Sequence, residues 1–451
     1  MSFNTGLSGL YAANKSLDVT GNNIANVATT GFKSSRVEFA DQYAQSIRAT
    51  SGNTSVGSGV RTAAVSQQFT QGTLTTGTAN SLDLAINGNG FFMISNNGEK
   101  LYTRAGAFHT DKDGYVVNSS GMNLQGYNVD SSGNVVTGIS TNLRVDSSNL
   151  APSPTNNVTI ASNLNSTEVA PTVSPFDASN TKTYNSTFST PIYDSQGNQH
   201  SLDQYFVKTG TNTWDMYTLV DGRSIDAPQT TSPDVVTPSV TTLTFDSSGK
   251  LASSTAVSPV PVPPALSNVA VNADGTLQIN NWVPALNTGT TTSPNWVANG
   301  ADVATDGIQL DMLATTQTAS VSGAITKSQN GYATGQISAM SVDSTGNLFA
   351  TYTNGQSKVI GQVSLTNFAN VQGLAPAGGT NWRETYSSGV AVTGVPQSGT
   401  LGDITGQALE DSNVDLTMEL VNLIKAQSNY QANAKTISTQ STIMQTTIQM
   451  T

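Results

Sequence analysis

His109 and His200 are the only imidazoles in the chain, and there is no cysteine. Composition alone therefore excludes disulfide frameworks, thiolate metal sites and cysteine nucleophiles. A serine–histidine–aspartate relay would have to run through one of the two histidines, and no nucleophile-elbow motif supports it. His109 stands in TRAGAFHTDKDG beside a turn signature and reads as a solvated strand histidine. Gly249–Lys250 is followed by Leu251 rather than Ser or Thr, so there is no phosphate-binding loop. Gly88–Asn89–Gly90 runs into Phe91–Phe92 and is not a dinucleotide fingerprint; no HExxH occurs. Carboxylate pairs of the glycosidase kind are possible on counting, but most acids fall at turns. The chain offers no catalytic residue, no cofactor-binding residue and no metal ligand set, and reads as a non-enzyme.

What the acids do instead is conformational. DKDG at Asp111–Gly114, DSSGN from Asp130, DSQGN from Asp194, DSSGK from Asp246, ADGT from Ala273 and DSTGN from Asp343 repeat one signature. Each lies between runs that alternate apolar and polar. Asp opens a type I turn and Gly supplies the positive φ, so each predicts a hairpin. A calcium loop needs ligands at alternate positions and a closing Glu, which Asp111–Gly114 lacks. The middle of the chain is therefore expected to be β, with Trp214, Trp282 and Trp296 anchoring a central core. The Pro/Thr/Ser-rich stretch 225–300, with PVPVPP at 259–264, predicts long loops or edge strands.

The 451 residues carry 10% charged side chains, against about 25% in ordinary soluble proteins, and a net charge of −11. Such a surface is a poor ligand for nucleic acid, which needs clustered Lys and Arg. It also lacks a basic face for anionic membranes. No apolar run is long enough to span a bilayer, and MSFNTGLSGL lacks the basic and apolar regions of a signal peptide. Residues 160–320 hold 13 acids against 4 bases, net −9, so most of the acidity is central. Neutral ends can be buried against copies of themselves without stranding charge.

Those ends read as helices. Leu416, Leu420, Leu423, Gln427, Tyr430, Ala434, Ile437, Ser441, Met444 and Ile448 alternate spacings of 4 and 3, a coiled-coil seam. Ser412 with Asp415 resembles a capping box and predicts a helix over 413–449. Leu7, Leu10, Asn14, Leu17, Gly21, Ile24 and Ala28 repeat the pattern, with Gly31 placed to terminate the helix. Gly6, Gly9 and Gly21 weaken this first helix by about 1 kcal/mol each relative to Ala. It needs a partner, and the C-terminal seam is the expected one.

The segment SGLYAANKSLDVTGNNIANVATTGFK (8–33) resembles the N-terminal signature of the bacterial flagellar axial family of rod, hook and hook-associated proteins. LEDSNVDLTMELVNLIKAQSNYQANAKTIST (409–439) resembles its C-terminal counterpart. QGTLTTGTANSLDLAINGNGFFMIS (71–95) and YTRAGAFHTDKDGYVVNSSGMNLQGY (102–127) are similar to the β module shared by hook and distal-rod members. Asn22, Asn23, Ile24, Ala25, Asn26, Gly31, Gln427, Tyr430 and Asn433 belong to these blocks. A large insert distinguishes hook members from rod members, and Thr29–Phe32 differs from the TPGY-like continuation of hook-associated ones.

The resemblance implies a self-assembling subunit of a curved, hollow tube that transmits torque and encloses an export channel. It implies homopolymer contacts and distal-rod, junction-protein, cap and export-apparatus partners. It also implies an extracellular location reached without a cleaved signal peptide. The expected fold is α+β, mainly β, with nested domains. Residues 1–30 with 413–451 form a terminal helical domain, and 31–70 with 386–412 form extended connecting segments. Residues 71–159 with 321–385 form an inner β domain, and 160–320 an inserted outer β domain. Leu7, Leu10, Leu17 and Ile24 with the C-terminal seam are the expected assembly residues. A distal-rod-type protein, a secreted β-rich adhesin and an extracellular hydrolase are the rival readings. Straight rods, a ligand bound on 160–320 without polymerisation, or a deep carboxylate-lined cleft would distinguish them.

Overall fold

The structure is a computed structural model of the chain. It describes all residues except 1, 43–56, 58, 131–132, 226–237, 258–268, 281, 291–294, 304–305 and 451. The chain forms two compact units. One comprises residues 1–147, 338–351 and 357–451; the other comprises 148–337 with 352–356. The inserted unit is thus wider than 160–320. Strands Asn157–Asn165 and Gly323–Gln329 pair with each other antiparallel, from Val158↔Gln329 to Asn163↔Gly323. A boundary at 160 or 320 would cut that ladder.

In the inserted unit, one sheet is an antiparallel run of Ser186–Tyr193, Gln199–Gly210, Thr213–Val220, Ser239–Phe245 and Leu251–Val257. A second sheet is built on Asn157–Asn165, which pairs parallel with Ile308–Asp311 and Thr316–Thr318 on one side. Alternate residues of both sheets point into one core, among them Ile160, Phe206, Trp214, Leu243 and Leu310. Trp214 and Trp282 are buried there. Trp296 is not: it lies half-buried on a two-stranded pair, with the Arg223 guanidinium 4.7 Å over its ring. The 259–264 proline run lies outside the described residues.

The turn signature behaves as its chemistry requires. Gly114, Gly133, Gly197, Gly249, Gly275 and Gly346 all have φ between +78° and +86°. At Asp111, Asp194, Asp246 and Asp343 one carboxylate oxygen accepts the backbone amides two and four residues on. At ADGT the opening residue is Asn272, and Asp274 accepts from Thr276. Asn118 makes the same turn with Gly121 and has no Asp to announce it.

The first unit contains a large mixed-order sheet around Phe91–Asn96 and Asn123–Tyr127. Phe91, Tyr102, Phe368 and Trp382 pack edge to face inside it. The segments expected as connectors are structured. Ser35–Asp41 pairs with Val60–Gln67 as a hairpin. Asp403–Gly406 and Ala408–Glu410 pair with Leu84–Asn87 and Leu74–Thr76.

Helices α1 (Ser2–Ala25) and α2 (Leu416–Gln449) belong to this unit and run antiparallel, with Gly6 against Ile437 and Gly9 against Asn433. No helix among the described residues is long and apolar enough to cross a membrane. Helix α2 starts later than expected. Asp415 is itself the N-cap, accepting from Thr417 and Met418. Asn413 is drawn away to bond residues 34, 68 and 70, which keeps the chain extended until Asp415. Gly31 does not terminate α1, which ends at Ala25. Its φ of +68° and the lack of a Cβ let it approach Ala105, whose nitrogen would lie 2.4 Å from one.

The glycines of α1 fall into two kinds. A Cβ on Gly9 would lie 2.5 Å from the Asn433 Oδ1, whereas one on Gly21 would meet no atom within 4 Å. Gly21→Ala is expected to stabilise the unit by about 0.5–1 kcal/mol through helix propensity. Gly9→Ala must displace Asn433 and should forfeit that gain. Urea unfolding followed by far-ultraviolet dichroism compares the two; equal stabilisation would mean that the helices do not approach closely here.

Candidate assembly site

The line of α1 that is buried or half-buried at helical spacing is Gly6, Gly9, Ala13, Ser16, Thr20 and Asn23. On α2 the covered side runs through Asn422, Leu423, Ala426, Asn433, Ala434, Ile437 and Gln440, of which only Ala426 is fully buried. Small residues on α1 let the backbones approach, so short polar side chains of α2 fit between them. The expected pairing of two leucine seams is therefore corrected. Leu423, Ala434 and Ile437 lie on the covered side. Leu416, Leu420, Gln427, Tyr430, Met444 and Ile448 are exposed. Leu7, Leu10, Leu17 and Ile24 flank the small-residue line and are half-buried.

What remains on α2 is a set of exposed apolar side chains that α1 does not cover. Leu420 is 44% exposed, Ile424 62%, Met444 54% and Ile448 68%. From residue 441 to 450 every side chain is exposed, because α1, with Gly6 against Ile437, extends only about one turn further along α2. Leu416, Leu420 and Ile424 stand one turn apart along the helix, and exposed apolar surface of this kind marks an interaction face.

The motif asparagines act locally. Asn23 makes a reciprocal pair with Ser35, donating from Nδ2 to the carbonyl and accepting the amide on Oδ1, each at 2.9 Å. Asn26 donates to the Asn22 carbonyl and accepts from the Thr29 hydroxyl. Asn22 and Asn26 also line a groove of about 650 Å³ opposite Thr380 and Trp382. Ile24 is half-buried and Ala25 exposed. Asn433 donates to the Asn429 carbonyl and fills the notch at Gly9.

Sequence reasoning missed the junction that fixes both helices to the β structure. Glu410 is fully buried between Lys33 and Arg104. Lys33 Nζ donates to Glu410 Oε1 at 2.5 Å and to the Thr70 carbonyl at 2.7 Å. Arg104 Nη1 donates to Glu410 Oε2 at 3.1 Å, and Nη2 to the Gly88 carbonyl at 2.6 Å. The Gly72 amide also donates to Oε1, and the Gly31 amide to the Glu410 carbonyl. Burial lowers the pKa of Lys33 and of Arg104; the Glu410 carboxylate opposes it in both. The cluster carries two positive charges and one negative, and main-chain carbonyls solvate the excess. The available signal was one Lys, one Arg and one Glu inside family-like blocks of a charge-poor chain.

Four domain families match in order along the chain. They are the flagella basal body rod protein domain at 3–33, the flagellar hook protein FlgE/F/G D1 domain at 85–172, the flagellar basal body protein FlaE D2 domain at 163–332 and the flagellar basal body rod FlgEFG C-terminal domain at 405–450. The flagellar hook protein FlgE of Escherichia coli K12 is 38% identical over the whole of both chains. That of Salmonella typhimurium LT2 is 38% identical over the same full span. The chain belongs to the flagellar hook protein family. It is a structural component of the extracellular hook, in a family that polymerises in the flagellum. A crystal structure of Helicobacter pylori flagellar hook protein FlgE2 is similar at a TM-score of 0.46 and 14% identity, covering 74% of this chain and 99% of that one.

Proposed function

We propose that copies of this chain assemble through the exposed side of α2 into the curved hollow tube that joins rod to filament and transmits torque as a universal joint. The observation that carries the reading is the exposed apolar surface of α2, with Leu416, Leu420 and Ile424 one turn apart and Met444 beyond the reach of α1. The paired, nearly neutral helices would then surround the export channel, with the acidic inserted unit toward solvent. Neutral Ser, Thr and Asn surfaces can exchange hydrogen bonds as subunits slide during bending. Distal-rod, junction, cap and export-apparatus proteins are the proposed partners, and export proceeds without a cleaved signal peptide. Electron microscopy of the purified chain under polymerising conditions tests the reading. Curved tubes support it; straight rods favour the distal-rod alternative; no polymer with a ligand held on the inserted unit favours an adhesin.

A further inference from the structure

The inserted unit contains a titratable group that assembly does not use. His200 is 6% exposed on strand Gln199–Gly210, and both of its ring nitrogens face carboxylates. Nδ1 lies 2.7 Å from Asp221 Oδ2 and Nε2 lies 3.2 Å from Asp194 Oδ2. A neutral imidazole has one N–H and one lone pair. In that state one of the two carboxylates would face a lone pair inside the protein. Only the imidazolium donates to both.

The carboxylates are held in place from elsewhere. Asp194 also accepts from the amides of Gln196 and Asn198 and from the side chains of Asn198 and Asn299. Asp221 accepts the Ser201 amide at 2.8 Å, and Trp282 packs edge-on against the imidazole at 5.0 Å. The remaining charges around the ring, among the described residues, are directed away. Arg223 stacks on Trp296 and donates to the Val283 carbonyl. Asp302 meets Ser195 through its backbone. Asp203, three residues along the strand, lies on the opposite face and accepts from the Ser201 hydroxyl.

We propose that the inserted unit folds around a protonated His200, a structural proton that ties the 194–198 turn, the 221–222 turn and the loop at 299 together and makes the unit's stability depend on pH. Burial lowers the pKa of His200, but hydrogen bonds and charge from Asp221, then Asp194, outweigh it and leave it raised above 6.5. The sign follows from linkage. Between the unfolded and folded pKa values the folded state holds one proton more, so stability falls as pH rises. The full contribution is present below the unfolded value and is lost as pH rises through the folded one. Over that window the unfolding equilibrium constant should rise about tenfold per pH unit.

The test uses the full-length chain with ¹⁵N-labelled histidine, where two imidazoles give two sets of signals and His109→Gln assigns them. Native His200 should carry protons on both nitrogens and titrate above its own midpoint in urea. Urea unfolding of the inserted unit, read by tryptophan fluorescence, should move to lower urea as pH rises through that window. His200→Gln should remove this slope. A native midpoint at or below the unfolded one, or an equal slope in the variant, overturns the proposal. Should His200→Gln fail to fold, the wild-type titration still decides.

Discussion

Glu410→Gln should destabilise the first unit by about 3–5 kcal/mol, the usual consequence of leaving buried charge uncompensated. Shape is conserved, but one acceptor oxygen becomes an amide donor facing Arg104 or Lys33, so lost charge and a donor–donor conflict add. Two cations, Lys33 and Arg104, would remain buried with no counterion. Lys33→Met is expected to be milder. It removes one donor from Glu410 and one from the Thr70 carbonyl, which keeps Asn413, and leaves a neutral Arg104–Glu410 pair. Replacing all three residues by apolar ones of similar volume should not restore stability. The Gly88 carbonyl and the Gly72 amide would each lose a buried partner, at about 1–3 kcal/mol per orphaned group; the Thr70 and Ile86 carbonyls keep Asn413 and Gln71. Urea unfolding of the three variants ranks them. A milder effect for Glu410→Gln than for Lys33→Met would show that charge balance does not govern the junction.

Leu420→Asp and Met444→Asp should leave the isolated subunit folded and stop it polymerising. Both side chains are about half exposed in the single chain, so the substitutions remove little internal packing. In a polymer seated on this surface each would lose about 1.5–3 kcal/mol of apolar burial and add the penalty of a buried carboxylate. The concentration needed for assembly should rise at least about a hundredfold, since 1.4 kcal/mol corresponds to a factor of ten. Thr436→Asp, exposed and about 160° around the helix from Leu420, is the control for that variant and should change it much less. Ala426→Asp should fail differently: Ala426 is 3% exposed, so the helix pair itself should loosen. Sedimentation measures polymer yield, and dichroism of the unassembled subunit checks the fold. Equal yields for Leu420→Asp and Thr436→Asp would place the assembly face elsewhere.

The local features of this protein were legible in its sequence because they depend on residues close together along the chain. Asp and Gly at fixed offsets make the same turn at Asp111, Asp194, Asp246 and Asp343, since the side chain, the amides it accepts and the positive φ lie within five residues. Helix at both ends followed from spacing. The phase of the helix pair was not legible. Apolar spacing identifies a seam but not its occupant. Close approach at Gly6 and Gly9 set the contact on Ile437 and Asn433, and left Leu416, Leu420 and Ile424 outside. Tertiary structure also decided the junction and the histidine site. Glu410 meets Lys33 across 377 residues and Arg104 across 306. His200 gains its second carboxylate from a turn 21 residues on. Such partners are chosen by which strands pair, and only the folded chain brings their charges close enough, and far enough from water, to matter.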